Sequence, residues 1–207
     1  MRLLAFDTCL DKTYVTLYNE GVFENKIILS NDKNYHSAFL ISTIVELLKA
    51  NNLTPNDLDC IATDIGPGSF TGIRACTTVA RMLAQQLDIK AIGVSSLEIL
   101  SRILGENDLV ALDARKNKAY VFDREILGAV ELEEVDRIVN GRNLVTDNSL
   151  YERFSKLALD AVSYQEREYQ LGEILAKIAL EKIEKGIDTD WRKLKPLYIQ
   201  PPPVYGR

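Results

Sequence analysis

Ile65-Gly66-Pro67-Gly68-Ser69-Phe70-Thr71-Gly72-Ile73-Arg74 lies between a short apolar run, Cys60 to Asp64, and a long helical pattern, Thr71 to Leu87. That order reads as strand, glycine-rich turn, helix. Gly66 and Gly68 permit positive φ and close approach to a neighbour, while Pro67 between them fixes φ and donates no N–H. The loop is therefore expected to be stiff. With Ser69 and Thr71 as candidate caps, the amides of the first helical turn make a small positive pole suited to phosphate or carboxylate. Gly66, Gly68 and Ser69 are thus a candidate anion site. No lysine follows, so this is not a Walker-type loop, which ends in Gly-Lys-Ser/Thr. The other reading is a tight strand-to-helix connection in which Gly72 lets the helix pack closely.

Working outward, Leu3 to Asp7 reads as a buried strand ending in a carboxylate, Thr13 to Asn19 as a second strand, and Val22 to Leu29 as the third of a meander. A helix is expected from about Tyr35 to Asn51, then a strand from Leu58 to Asp64, the glycine loop and its helix. A strand at Lys90 to Val94 and a helix capped by Ser95-Ser96-Leu97-Glu98 and running to Leu104 complete a βββαβαβα half. The second half begins by repeating the first. Leu109-Val110-Ala111-Leu112-Asp113 matches Leu3-Leu4-Ala5-Phe6-Asp7, and Tyr120-Val121 matches Tyr14-Val15, at a constant offset of 106. Such an offset is too long for a solenoid and implies two lobes on one plan, residues 1–105 and 106–207. Further strands are expected at Ile126 to Leu132 and Asn143 to Thr146, with helices at Glu133 to Val139 and from Leu150. Tyr169, Leu171, Ile174, Leu175, Ile178 and Ile183 form a helical stripe stopped by Gly186, expected to cover the second sheet. The tail Gln200-Pro201-Pro202-Pro203 reads as extended polyproline.

Two such lobes, each opening with a strand that ends in Asp, resemble the actin-like ATPase (ASKHA, ribonuclease H-like) α/β fold, with mixed sheets and a degenerate second lobe that has lost its glycine loop. In that fold the strand-end carboxylates, here Asp7 and Asp113, hold metal-bound water near phosphate. The alternative for Asp7 is an Asx-turn over Thr8 to Lys12. Arg115, Lys116 and Lys118 put positive charge in the equivalent turn of the second lobe.

Composition narrows the classes. A 207-residue chain with 46% hydrophobic residues builds a real core. Asp plus Glu number 30 against 25 Lys plus Arg, a net charge of −5, and no basic stretch is interleaved with aromatics, so autonomous RNA binding is not expected. Cys9, Cys60 and Cys76 lack CxxC spacing and read as reduced core filler of a cytoplasmic protein. Neither a signal peptide nor a membrane span is legible. The single histidine, His36, excludes HExxH and HxxxH sites, and no metal site is expected.

Two helices carry more apolar surface than one buried face needs. Residues 35–50 place Phe39, Leu40, Ile41, Ile44, Val45, Leu47 and Leu48 around well over half the circumference. In residues 71–87, Ile73, Cys76, Ala80 and Leu87 form one stripe, with Ala75, Val79 and Met82 off it. The excess implies burial on a second side, beneath another element or against a partner.

Ile65 to Arg74 also resembles the GPGSFTG(L/I)R segment of the TsaB (YeaZ) family. Leu4-Ala5-Phe6-Asp7-Thr8 is similar to its ILAIDTS, His36-Ser37 to its HS, Gly93 to Glu98 to GVSSLE, Asp113-Ala114-Arg115 with Tyr120 to DARRxEVY, and Pro196 to Gln200 to PxYLR. Ala38, Lys118 and Gln200 depart from that pattern. The resemblance implies a catalytically inactive paralogue of TsaD, with no catalytic residue of its own. It would pair with a TsaD-like subunit and act with a TsaE-like ATPase in threonylcarbamoyl modification of the adenosine next to the tRNA anticodon. It implies an interface of His36, Phe39, Leu40, Thr43 and Leu47 on the first helix and Phe70, Ile73, Arg74, Thr78, Val79 and Met82 on the second. It further implies tRNA contact only through the complex, a homodimer when alone, and no intrinsic cofactor. A nucleotide, ATP or ADP, would lie at the partner interface near Asp7, Thr8, Gly66, Gly68 and Ser69. Two other readings compete: a glycoprotease-like hydrolase with His36 as base and Ser37 or Ser69 as nucleophile, and an actin-like ATPase or kinase dependent on Asp7.

Overall fold

The computed structural model describes residues 1–28, 36–105 and 108–200, with only the backbone at His36 and Ser37. The polyproline tail and the expected helix start at Tyr35 lie outside the described residues. The chain forms two compact units, residues 1–96 with 170–196, and residues 97–169 with 197–200. A cut at residue 105 misses this arrangement, because the chain returns to the first unit after completing most of the second.

In the first unit, β1 (Arg2–Asp7), β2 (Thr13–Asn19) and β3 (Val22–Ile28) form the expected meander. A 3-10 turn (His36–Phe39) leads into α1 (Leu40–Ala50), followed by β4 (Cys60–Asp64), α2 (Phe70–Leu87) and β5 (Lys90–Val94). The sheet order is β3-β2-β1-β4-β5, with β4 and β5 running parallel to β1. Period-2 alternation sends Leu4, Phe6, Val15 and Leu17 to one face, where they pack with Leu40, Ile44, Leu47 and Leu48 of α1 and with Ile73, Cys76, Ala80 and Ala84 of α2. α3 (Ser96–Leu100) is shorter than the helix to Leu104 that its pattern predicts.

The second unit repeats the plan. β6 (Leu109–Arg115), β7 (Lys118–Asp123) and β8 (Glu125–Glu131) make a meander, then come α4 (Leu132–Val139), β9 (Asn143–Thr146), α5 (Asn148–Phe154) and β10 (Asp160–Ser163). Its sheet order, β10-β9-β6-β7-β8, is the first sheet's order read from the other edge. Even a side chain is echoed: Thr63 Oγ1 donates to Phe6 O across β4 and β1 at 3.1 Å, and Thr146 Oγ1 to Ala111 O across β9 and β6 at 2.7 Å. This is the duplicated actin-like α/β fold. The repeat is looser at the hairpin, where Asp7 faces Tyr14 but Asp113 faces Ala119, after a bulge between Asp113 and Arg115.

The C-terminal helix corrects one expectation. α6 (Leu171–Glu184) packs on the first sheet, not the second. A Cβ at Gly172 would collide with Thr16 Oγ1 and lie 3.2 Å from Tyr14 Cβ, while Lys182 Nζ donates to Gly93 O at 3.3 Å. A helical stripe records that a helix is amphipathic, and it carries no information on which sheet the stripe covers. After α6, Ala91 N–H donates to Thr189 O, and a 3-10 turn (Trp191–Lys193) brings Trp191 and Leu194 onto the α1/α2 core.

Candidate interface and the buried acidic cluster

The glycine loop sits at the carboxyl end of β4, beside the end of β1. Ser69 caps α2 through its hydroxyl, which accepts from Gly72 N–H at 3.2 Å, and its own N–H donates to Cys9 O at 2.7 Å. Gly66 N–H donates to Asp64 Oδ1 at 2.6 Å, while Gly66 O accepts from Ser95 Oγ and Ser96 N. The amides of Gly66, Ser69 and Gly72 are thus engaged within the chain: the strand-to-helix connection is realised, and Gly66 and Pro67 are buried while Gly68 and Ser69 are exposed. Gly68 and Gly72 press on the backbone of Thr8 and Cys9. A Cβ at Gly72 would fall 2.7 Å from the Thr8 carbonyl carbon and 3.2 Å from Cys9 Cα.

Beneath the loop lies a sealed group of acidic side chains, Asp7, Cys9, Asp64 and Cys76, none more than 2% exposed. Asp64 accepts from Ser96 Oγ on both oxygens, at 2.8 and 2.7 Å, and from Gly66 N–H; Asp7 Oδ1 accepts from Cys9 N–H at 2.5 Å. Burial, then the neighbouring Cys76, pushes Asp7 up to about 7, and burial with the charge of Asp7 raises Asp64 well above the carboxylate range. Ser96 Oγ and Gly66 N–H work against that rise at Asp64, and the two carboxyls titrate as a pair. Burial raises Cys9, whereas at Cys76 the effect of burial is outweighed by hydrogen bonds from Cys9, Thr8 and Thr63, which lower it. Asp64 has no role in the sequence expectations, and its signal was a carboxylate ending the strand beside the one that ends in Asp7.

The second unit carries the corresponding pair, Asp113 and Asp147, in a more open setting. Asp147 accepts from Asp113 N–H at 2.6 Å and caps α5 through Leu150 N–H, while Asp113 pairs with Arg115 at 3.1 Å.

Of the expected interface residues, Leu40, Thr43, Leu47 and Ile73 are buried in the first unit's own core, at 8% exposure or less. They occupy the i, i+3, i+7 stripe that faces the sheet, and a stripe so placed is not available to a partner. Phe39, Phe70, Arg74, Thr78 and Met82 are exposed, Val79 is half-buried, and the side chain of His36 lies outside the described residues. Ile41 and Val45, absent from the expected set, are exposed on the outer face of α1. The helical layer therefore presents Phe39, Ile41, Val45, Phe70 and Met82, each 41–55% exposed. Arg74 lies over the Phe70 ring at 5.5 Å.

Residues 27–166 match the family model described as TsaD, tRNA N6-adenosine threonylcarbamoyltransferase. The chain is 36% identical over 123 residues to the tRNA threonylcarbamoyladenosine biosynthesis protein TsaB of Bacillus subtilis, and 28% over 146 residues to that of Escherichia coli. The chain belongs to the TsaB (YeaZ) family, within the TsaD domain class. These matches cover 58% and 67% of this chain but only 53% and 62% of the relatives, so the chain spans little more than half the length of the curated proteins it matches. Among solved structures, YeaZ from Pseudomonas aeruginosa superposes with a TM-score of 0.77 at 24% identity, covering 95% of this chain and 99% of that one, which establishes the shared fold. Among the described residues no helix is long and apolar enough to cross a membrane.

Proposed function

We propose that this chain is a non-catalytic scaffold subunit that pairs with a TsaD-like subunit for threonylcarbamoyl modification of the adenosine next to the tRNA anticodon. The observation that carries this reading is the outer face of the α1/α2 layer, where five large apolar side chains stand in solvent although the same two helices already bury a full stripe. Helices with one face satisfied and a second apolar face exposed are built to meet another helical surface. A non-catalytic role is supported by the sealing of Asp7 and Asp64 away from any phosphate and by the engagement of the Gly66, Ser69 and Gly72 amides within the chain. A TsaE-like ATPase completes the assembly, tRNA is held by the complex and not by this acidic chain, and the same face makes a homodimer when the partner is absent. A nucleotide at the partner interface would meet Gly68 and Ser69, the exposed members of the loop.

Sedimentation with the TsaD-like subunit tests the pairing. The wild-type chain should co-sediment as a heterodimer, and Val45→Glu with Met82→Glu should abolish it while leaving circular dichroism unchanged. A double variant that pairs like wild type would overturn the placement of the interface.

A further inference from the structure

Asp7, Cys9 and Cys76 come from the end of β1, the turn after it and the middle of α2, and they meet in the core of the first unit. One carboxylate oxygen of Asp7 and the two sulfurs lie within 4.8 Å of one another. Asp7 Oδ2 is sealed from solvent and has no hydrogen-bond partner. Its oxygen, the two thiols and the Asp64 carboxylate make an acidic pocket in low dielectric, where ionised groups persist only when paired or bound to metal. A positive species belongs beside Oδ2, and it is either a proton shared with Asp64 or a cation.

We propose that Asp7, Cys9 and Cys76 form a buried site for a borderline-soft divalent cation of the Zn2+ class. Two thiolates and a carboxylate fall within the ligand types zinc takes, whereas Mg2+ and Ca2+ call for oxygen alone. Tetrahedral bonds of about 2.3 Å to sulfur and about 2.1 Å to oxygen place ligand atoms roughly 3.5 Å apart. The three atoms, within 4.8 Å of one another, would draw together by up to about 1.3 Å to reach that spacing. The surroundings hold the ligands in place: Thr8 N–H donates to Cys76 Sγ at 3.0 Å, Thr8 Oγ1 lies 3.1 Å from the same sulfur and donates to Gly72 O, and Asp64 accepts from Ser96 Oγ and Gly66 N–H. Binding releases the two thiol protons and the carboxyl proton to solvent. Because the ligands are sealed, the ion enters as the unit folds, and it ties β1 to α2, the helix that carries Phe70 and Met82 outward. The positions 7, 9 and 76 have no metal-binding spacing along the chain, which is why the cysteines read as filler.

The test uses the full chain, kept reduced. Metal-free protein is unfolded and refolded with Co2+, and its absorbance is compared with that of folded protein given Co2+. We expect one ion per chain and a near-ultraviolet thiolate-to-cobalt band. Zn2+ should displace the spectrum. The band should halve in Cys9→Ser, be lost in Cys9→Ser with Cys76→Ala, and persist in Cys60→Ala. Absence of a thiolate band in refolded wild type would overturn the proposal and leave the shared proton as the species beside Asp7. A band that survives the double substitution, or reduced protein that forms a Cys9–Cys76 disulfide in air and takes up no metal once reduced again, would overturn it as well. The wild-type spectrum decides even if the variants fail to fold.

Discussion

Gly72→Ala should destabilise the first unit, although alanine is the better helix former. In an exposed helix the change would gain about 1 kcal/mol. Here the new Cβ collides with Thr8 O and lies 2.7 Å from the Thr8 carbonyl carbon, both rigid backbone at the end of β1. Relief requires α2 to lift from the turn by an ångström or more, and three hydrogen bonds stretch with it: Thr8 Oγ1 to Gly72 O at 2.8 Å, Thr8 N–H to Cys76 Sγ at 3.0 Å, and Ser69 N–H to Cys9 O at 2.7 Å. At about 1 kcal/mol each, with about 2 kcal/mol of overpacking and the helix gain set against them, the net loss is about 4 kcal/mol. Trp191 is the chain's one tryptophan and packs on the first unit's core, so its fluorescence in a urea titration follows that unit. Gly21→Ala serves as a contrast: its φ of +99° strains a side chain, but nothing lies within 4 Å of the new Cβ, so its cost should stay near 1 kcal/mol. A Gly72→Ala protein as stable as wild type would refute the close packing of α2 on β1.

The metal-free protein, kept in chelator, should lose stability as pH rises. Asp7 titrates near 3.8 when unfolded and near 7 when folded, so its protonated form is fully stabilising below the first value and the benefit fades through the second, on the order of 4 kcal/mol in all. Asp7→Asn keeps an acceptor for Cys9 N–H and removes one of the two raised carboxyls, so the slope should shrink to the part that buried Asp64 contributes; equal slopes in both proteins would contradict the shared proton. Ser96→Ala takes the hydroxyl from both Asp64 oxygens, leaves the buried carboxyl only the Gly66 amide, and should cost about 2 kcal/mol by the same urea titration. Val45→Glu alone should change stability by no more than about 0.5 kcal/mol, because its side chain has no core role, and a larger loss would place it inside the unit's own packing.

The strand-turn-helix around Gly66 to Arg74, the two meanders and the offset of 106 were legible because each rests on local alternation, turn residues or direct repetition. β10 was not, since Asp160 to Ser163 is four residues without an alternating pattern of its own. The destination of α6 was hidden for a different reason: amphipathicity fixes one face of a helix and leaves its partner open. Apolar content showed that α1 and α2 had surface to spare, yet not which side chains; Leu40 and Leu47 point to the sheet, and Ile41 and Val45 do not. The cluster of Asp7, Cys9, Asp64 and Cys76 depends on contacts across up to about seventy positions, which no spacing along the chain records.

Reconstituted tRNA threonylcarbamoylation is the most direct measurement of the scaffold role. It is run with the TsaD-like subunit and the TsaE-like ATPase, and with this chain present, absent, or carrying Val45→Glu and Met82→Glu. Modification should require the wild-type chain and fall to the level of its absence with the double variant. Modification that proceeds equally without the chain would contradict the scaffold role.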